Sequence, residues 1–228
     1  NRWVARSESG IWQPLSEPLA RYKIESGVRR VRPGFSAGYL SGVAKFLEPR
    51  LAIDAWELQR HLLPMKNGVL DLQTHELKPY GEFRFNWQIP YAHNKAATCK
   101  TILNWLDVIT QGDAEFRRFL LAHLRSVLVG GAHLQKFVEV YGPGGTGKST
   151  YIRLCRALVG DQNAIATDLK TLEASRFESA SLYGRRLAIV SDSARFGGEI
   201  SVLKAITGGD PLRYECKNIQ AGQPFVFG

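Results

Sequence analysis

The run Gly142-Pro143-Gly144-Gly145-Thr146-Gly147-Lys148-Ser149-Thr150 limits what this chain can fold into more than any other feature. Its glycines let successive backbone N–H groups turn to one side, and Lys148-Ser149 stand where a helix should open. A loop of this pattern needs a strand before it and a helix after it. Phe137-Val-Glu-Val-Tyr141 reads as the strand, and Tyr151, Ile152, Cys155, Leu158 and Val159 form the apolar stripe of a helix closed by Gly160. In that setting residues 142–150 cradle the phosphates of a nucleoside triphosphate, ATP by expectation. The inward amides and the positive helix end meet the phosphate oxygens. Lys148 reaches the β- and γ-phosphates, and the Ser149 hydroxyl completes a Mg²⁺ shell.

Hydrolysis at such a loop also needs a carboxylate at the end of a neighbouring strand. Leu187-Ala-Ile-Val-Ser191 is a short apolar run suited to a buried parallel strand, and Asp192 follows it, so Asp192 is the candidate metal-site carboxylate beside Ser149. Lys148 and Asp192 are the catalytic candidates. No second acid adjoins Asp192, because Ser193 follows. Glu199 and Asp210 are weaker candidates for the base: Glu199 equally suits a cap for a helix beginning at Ile200, and Asp210 sits in a Gly208-Gly209-Asp210-Pro211 turn.

The texture of the chain changes near residue 131, from helical periodicity to short β-rich runs alternating with helices. Residues 1–130 are expected to form a mainly helical α+β domain and residues 131–228 an α/β core with a mostly parallel sheet. Helices are expected over Ala37–Leu47 and from Asp54 to a stop at Pro64. A hairpin is expected at Asn67-Gly68, a connector over 86–97, a helix capped by Thr98, and a second capped by Asp113 that ends at Gly130-Gly131. His123 falls on the apolar face of that last helix, where a histidine is more often a hydrogen-bonded core residue than a ligand.

The net charge of +9 favours a polyanionic partner, and the surplus is heaviest in residues 1–70, with 11 basic side chains against 6 acidic. Cys99, Cys155 and Cys216 have no metal-ligand spacing among themselves or with histidines, so reduced thiols without zinc are expected. No run approaches the roughly 18 apolar residues of a membrane span, and no secretory segment opens the chain. An intracellular, cytoplasmic protein is expected.

Together these residues resemble superfamily 3 helicases, specifically the phage, plasmid and poxvirus primase-helicase group. The loop Gly142–Thr150 and Asp192 match the first two motifs of that family, and Leu203-Lys-Ala-Ile-Thr-Gly-Gly-Asp-Pro-Leu-Arg213 looks like the segment between its second and third. Lys66-Asn-Gly-Val-Leu-Asp-Leu-Gln-Thr-His-Glu-Leu-Lys78 is similar to the hallmark of the helicase-associated domain that precedes the motor. Trp105-Leu-Asp-Val-Ile-Thr-Gln-Gly-Asp113 resembles its C-terminal helices.

The resemblance implies a P-loop NTPase core of AAA+-like α/β fold that couples ATP hydrolysis to DNA unwinding in replication. The family works as a homo-oligomeric ring, usually a hexamer, on single-stranded or forked DNA. Lys204, Arg213 and Lys217 would be its DNA-contacting side chains. The family's third motif and arginine finger have no counterpart before Gly228, so the core is expected to be truncated, and Ala194 occupies the place of the second acid. Two other readings remain open: a nucleotide-gated DNA-binding or oligomerisation module without turnover, and a P-loop kinase.

Overall fold

A β-hairpin opens the chain, within the stretch expected to be mainly helical. In the computed structural model, which describes residues 3–52, 56, 59–81, 83–175, 177–190, 197–215 and 224–227, β1 (Trp3–Arg6) pairs antiparallel with β2 (Trp12–Leu15) in the register Trp3↔Leu15. Tertiary pairing overrides local pattern here. The Trp12 amide donates to the Phe85 carbonyl at 2.7 Å, and the Arg6 guanidinium donates to the Gly81 carbonyl at 2.6 Å. Two helices follow, α1 (Glu17–Val31) and α2 (Ala37–Arg50). Pro18 suits the first turn of α1, where an amide would have no partner. Ser36 caps α2 by accepting from the Tyr39 amide. These elements form one compact unit, Asn1–Gln59 with Pro79–Trp87; the other comprises Arg60–Lys78 and Gln88–Gly228.

In the second unit, the hairpin expected at Asn67-Gly68 is present with its turn one residue earlier. β3 (Leu62–Met65) and β4 (Gly68–Asp71) pair with Met65 opposite Gly68, so Lys66-Asn67 is the turn. Gly68 opens β4 because a Cβ there would lie 2.5 Å from the Lys78 carbonyl oxygen. β5 (Leu77–Lys78) completes the sheet in the order β3-β4-β5. The helix expected to stop at Pro64 is not there in its described part: residues 62–65 are strand. Pro64 is tolerated because β3 is an edge strand of this sheet, and its carbonyl accepts from the Ile89 amide at 2.8 Å.

The connector expected over 86–97 runs beside β3, with the Lys66 amide donating to the Tyr91 carbonyl at 2.9 Å. Asn67 fastens it, donating to the His93 carbonyl and accepting from the His93 amide.

Asp71 explains why the motif Lys66–Lys78 has its composition. The carboxylate is buried, accepts from the Gln73 and Thr74 amides to fold the β4–β5 turn, and pairs with Lys78 Nζ at 2.7 Å.

Helix α3 (Lys100–Ile109) starts one residue later than a Thr98 cap would place it, behind Cys99, which makes no side-chain cap bond. α4 (Ala114–Val129) is capped as expected by Asp113, whose carboxylate accepts from the Glu115 and Phe116 amides at 2.9 Å. α5 (Lys148–Val159) ends at Gly160. The faces of α3, α4 and α5 make one core of Leu106, Leu120, Leu124, Val127, Tyr151, Cys155 and Val159. Full burial of such a leucine or valine contributes about 1.5–3 kcal/mol. Helices on both sides of residue 131 share that core.

Beyond it, β6 (Ala164–Thr167) and β7 (Leu187–Val190) pair in parallel, connected through α6 (Leu169–Ala174) and α7 (Glu178–Ser181). Helix α8 (Ser201–Gly208) packs Val202, Ala205 and Ile206 near buried Leu172, Leu182 and Leu212. The sheet pattern expected after residue 131 is therefore present in β6 and β7. The strand expected at Phe137–Tyr141 is not. Its residues pair with no strand among the described residues, and Phe137 and Tyr141 are 62% and 87% exposed. β-Branched and aromatic residues favour extended backbone, but only a hydrogen-bonded neighbour makes it a strand.

Lys78 holds the Asp71 carboxyl far below its ordinary value of 3.8, first through the hydrogen bond it donates. A depressed carboxyl contributes stability above its ordinary value and loses it as pH falls toward the folded value. Asp71→Asn should therefore lower the melting temperature at pH 7. The gap to the unsubstituted chain should narrow as pH drops below 3.8, as followed by thermal unfolding across a pH series.

Candidate functional site

The loop between residues 136–141, which form no strand, and α5 is held from behind. Gly147 is the N-cap of α5 with φ 89° and ψ 3°, a left-handed conformation that a side chain resists. A Cβ there would face Trp105 Cζ2 at 3.4 Å and Ile109 Cγ2 at 3.5 Å, so α3 backs directly onto the loop. Gly145 is also left-handed, with φ 79°. The Thr146 hydroxyl donates to the Pro143 carbonyl at 3.0 Å, which tightens the turn.

Lys148 is the first helical residue. Its Nζ curls back across the loop and donates to the carbonyls of Gly142 at 2.8 Å and Pro143 at 2.6 Å. Ser149 and Thr150, the next two residues, are exposed. The structure thus gathers residues 142–150, a lysine ammonium and the amide end of a twelve-residue helix in one place. Partial positive charge at such an end, together with a nearby ammonium, attracts anions.

Tyr151 anchors α5 to α4. It is 3% exposed; its hydroxyl donates to the Leu120 carbonyl at 3.0 Å and lies 2.8 Å from His123 Nδ1. Because the single hydroxyl proton is used on Leu120, the imidazole donates from Nδ1. Burial lowers the His123 pKa and so keeps the ring neutral. His123 is thus a half-buried, hydrogen-bonded residue at the edge of the core rather than a ligand-facing one. Burial pushes the Cys155 thiol up to about 11, which suits a packing role. Among the described residues no cluster of His, Cys, Asp and Glu could hold a metal ion.

The other predicted residues are spread more widely. Asp192, the expected metal carboxylate, and Lys217 lie outside the described residues; β7 ends at Val190, two positions before Asp192. Lys204 is exposed on α8, and the Arg213 side chain is 87% exposed with Glu215 at 3.9 Å. Glu199 does not cap the helix that follows it. Glu173 of α6 does so instead, accepting from the Val202 amide at 3.0 Å, the Leu203 amide at 2.9 Å and the Ser201 hydroxyl at 3.1 Å. A cap supplied from 28 residues upstream carries no local signal. The backing of Gly147 by Trp105 likewise had none beyond the apolar stripe of α3.

An open cavity of about 420 Å³ lies elsewhere, lined in part by Arg60, His61, Gln73, Arg125 and His133, and shares no residue with the loop. The loop remains the stronger candidate site because phosphate recognition by backbone amides occurs at a surface and needs no deep cavity.

Two family models match this chain. Residues 2–111 match the family described as D5 N terminal like. That match supports the primase-helicase group. It associates the chain with replication. Residues 140–226, which include the loop, match a family of unknown function (DUF5906). An uncharacterized mitochondrial protein of Marchantia polymorpha is 28% identical over 126 residues, covering 50% of this chain and 70% of that protein. Among the described residues no helix is long and apolar enough to cross a membrane.

Placing a Cβ on left-handed Gly147 costs about 1–2 kcal/mol. Gly147→Ala should lose that much unfolding free energy in urea denaturation, whereas Gly144→Ala, with open space around its Cα, should lose clearly less.

Proposed function

We propose that this chain is part of an ATP-dependent DNA helicase of the primase-helicase group, with the ATP phosphates on residues 142–150. One observation carries the reading: Lys148 Nζ lies over the loop, 2.8 and 2.6 Å from two of its carbonyls, at the amide end of α5. An ammonium on carbonyl acceptors can exchange them for phosphate oxygens, where the charge-assisted bonds are stronger. The D5 N-terminal-like match supports the same group from a separate segment of the chain.

In this reading Gly144, Gly145, Gly147 and Lys148 present N–H groups to the phosphates, with Gly142, Pro143, Thr146 and Thr150 shaping the cradle. Lys148 offsets the charge that develops on the γ-phosphate as water displaces ADP from it. Ser149 and Asp192 would hold Mg²⁺, which shields the phosphate oxygens. The parallel strand β7 ends at Val190, two positions before Asp192 in the sequence, the place in the chain where such a carboxylate is needed. Single-stranded or forked DNA is the proposed partner, with Lys204, Arg213 and Lys217 as contacts and a homo-oligomeric ring, hexameric in the family, as the working form.

The kinase reading is less well supported. It needs mobile arginines to close over donor phosphates, whereas Arg185 donates to the Gln162 carbonyl and the guanidinium of Arg186 is packed against Gly130. Lys148→Ala in the intact protein should reduce DNA-stimulated ATP hydrolysis to background, measured by phosphate release. Retained turnover would refute the phosphate assignment. Analogue binding without turnover in the unsubstituted protein, with DNA present, would favour the nucleotide-gated module.

A further inference from the structure

The helices α1 and α2 of the first unit carry a surface that the ATP site does not use. Residues 17–50 hold seven lysines and arginines against three glutamates, and Tyr22, Tyr39 and Phe46 are 65%, 43% and 58% exposed there. Cation and ring are already paired on this face. The Arg29 guanidinium sits 5.3 Å from the Phe35 ring centre and that of Arg32 sits 4.8 Å from Tyr39, while the two rings are 6.5 Å apart. A third pair, Arg50 over Phe46 at 4.1 Å, stands at the other end of α2.

Arg29 shares its charge with Glu25 at 2.6 Å. Among the described residues neither Arg30 nor Arg32 pairs with a carboxylate. Stacking an arginine on a ring restrains the side chain but leaves its edge N–H groups free to donate. The face therefore offers two kinds of recognition at once: fixed cationic donors, and flat aromatic surface beside them. An acidic protein segment would satisfy the first and leave the rings uncovered. Duplex DNA would satisfy the first while hiding its bases in the stack. An unpaired strand presents both phosphates and exposed bases.

We propose that the α1–α2 face around Arg30, Arg32 and Tyr39 holds single-stranded DNA, its phosphates on the arginines and a base on the Tyr39–Arg32 stack. The choice of DNA over RNA rests on the helicase reading above; the basic and aromatic arrangement does not.

The test uses the 228-residue chain without nucleotide and a fluorescent twenty-nucleotide thymidine strand, with anisotropy titrations over a salt series. Each lost phosphate contact removes about 0.7 from the slope of log affinity against log salt on single strands. Arg30→Ala/Arg32→Ala should thus flatten the slope by about 1.4 and weaken binding. Tyr39→Ala should weaken it about fivefold or more at unchanged slope. Tyr39→Phe, which keeps the ring, should restore affinity and so separates lost stacking from a disturbed helix. Lys170→Ala, an exposed charge of the second unit, should change neither.

An unaltered slope in the double variant, or full affinity in Tyr39→Ala, overturns the proposal. So does tighter binding of a duplex of the same length, or equal competition by polyglutamate or phosphatidylserine vesicles. Tighter binding of the matching uridine strand overturns the choice of DNA. If the expected variant effects hold but the intact protein turns over no ATP, the helicase reading falls and this surface stands. DNA-stimulated turnover with an unaltered slope gives the reverse.

Discussion

Burial of Tyr151 with its hydroxyl satisfied is the interaction on which the loop depends. A helix that begins with a flexible glycine-rich loop has no rigid neighbour on its N-terminal side, so its direction must be set by packing further along. Tyr151 supplies that within the first turn of α5, by bonding to the Leu120 carbonyl and to His123. Cys155 and Val159 continue the same buried stripe. Trp105 and Ile109 then bring α3 against Gly147. An apolar core formed by three helices thereby positions a polar, exposed loop at the start of α5.

The motif Lys66–Lys78 has a structural explanation. Gly68 is required by close approach to the Lys78 carbonyl, Asp71 by two turn amides and an ammonium, and Asn67 by the reciprocal bonds with His93. The connecting segment continues the same scheme. Asn163 donates to the Gln88 carbonyl at 2.8 Å, and the Tyr91 hydroxyl to the Ala157 carbonyl at 2.8 Å, so the hairpin, the connector and the end of α5 are joined by hydrogen bonds. Residues 60–78 and 88–159 form one structural unit in spite of the change of sequence texture near 131.

The two units use charge differently. In the second, several cations are committed: Lys78 to Asp71, Arg156 to Asp161, Arg185 to a carbonyl. In the first, the exposed Arg29, Arg32 and Arg50 rest on aromatic rings. The charge surplus read over residues 1–70 thus becomes a surface of particular chemistry, which a count of basic residues alone did not describe.

By itself the sequence determined the features whose causes are local. The Asp113 cap, the stripe and glycine stop of α5, the strand at 187–190, half-buried rather than fully buried as its apolar run suggested, the presence of a hairpin at Asn67 and the order of residues in the loop all follow from bonds or packing within a few positions. Tertiary structure decided the rest, since the partners lie far apart in the chain. Phe137–Tyr141 has the composition of a strand but no neighbour to pair with among the described residues. Trp3–Leu15 has no strong strand signal yet pairs, its outer strand bonded to Phe85. The first turn of α8 is capped by Glu173 and not by adjacent Glu199. Hydrogen bonds across tens of residues leave no local pattern, so only the folded chain could reveal them.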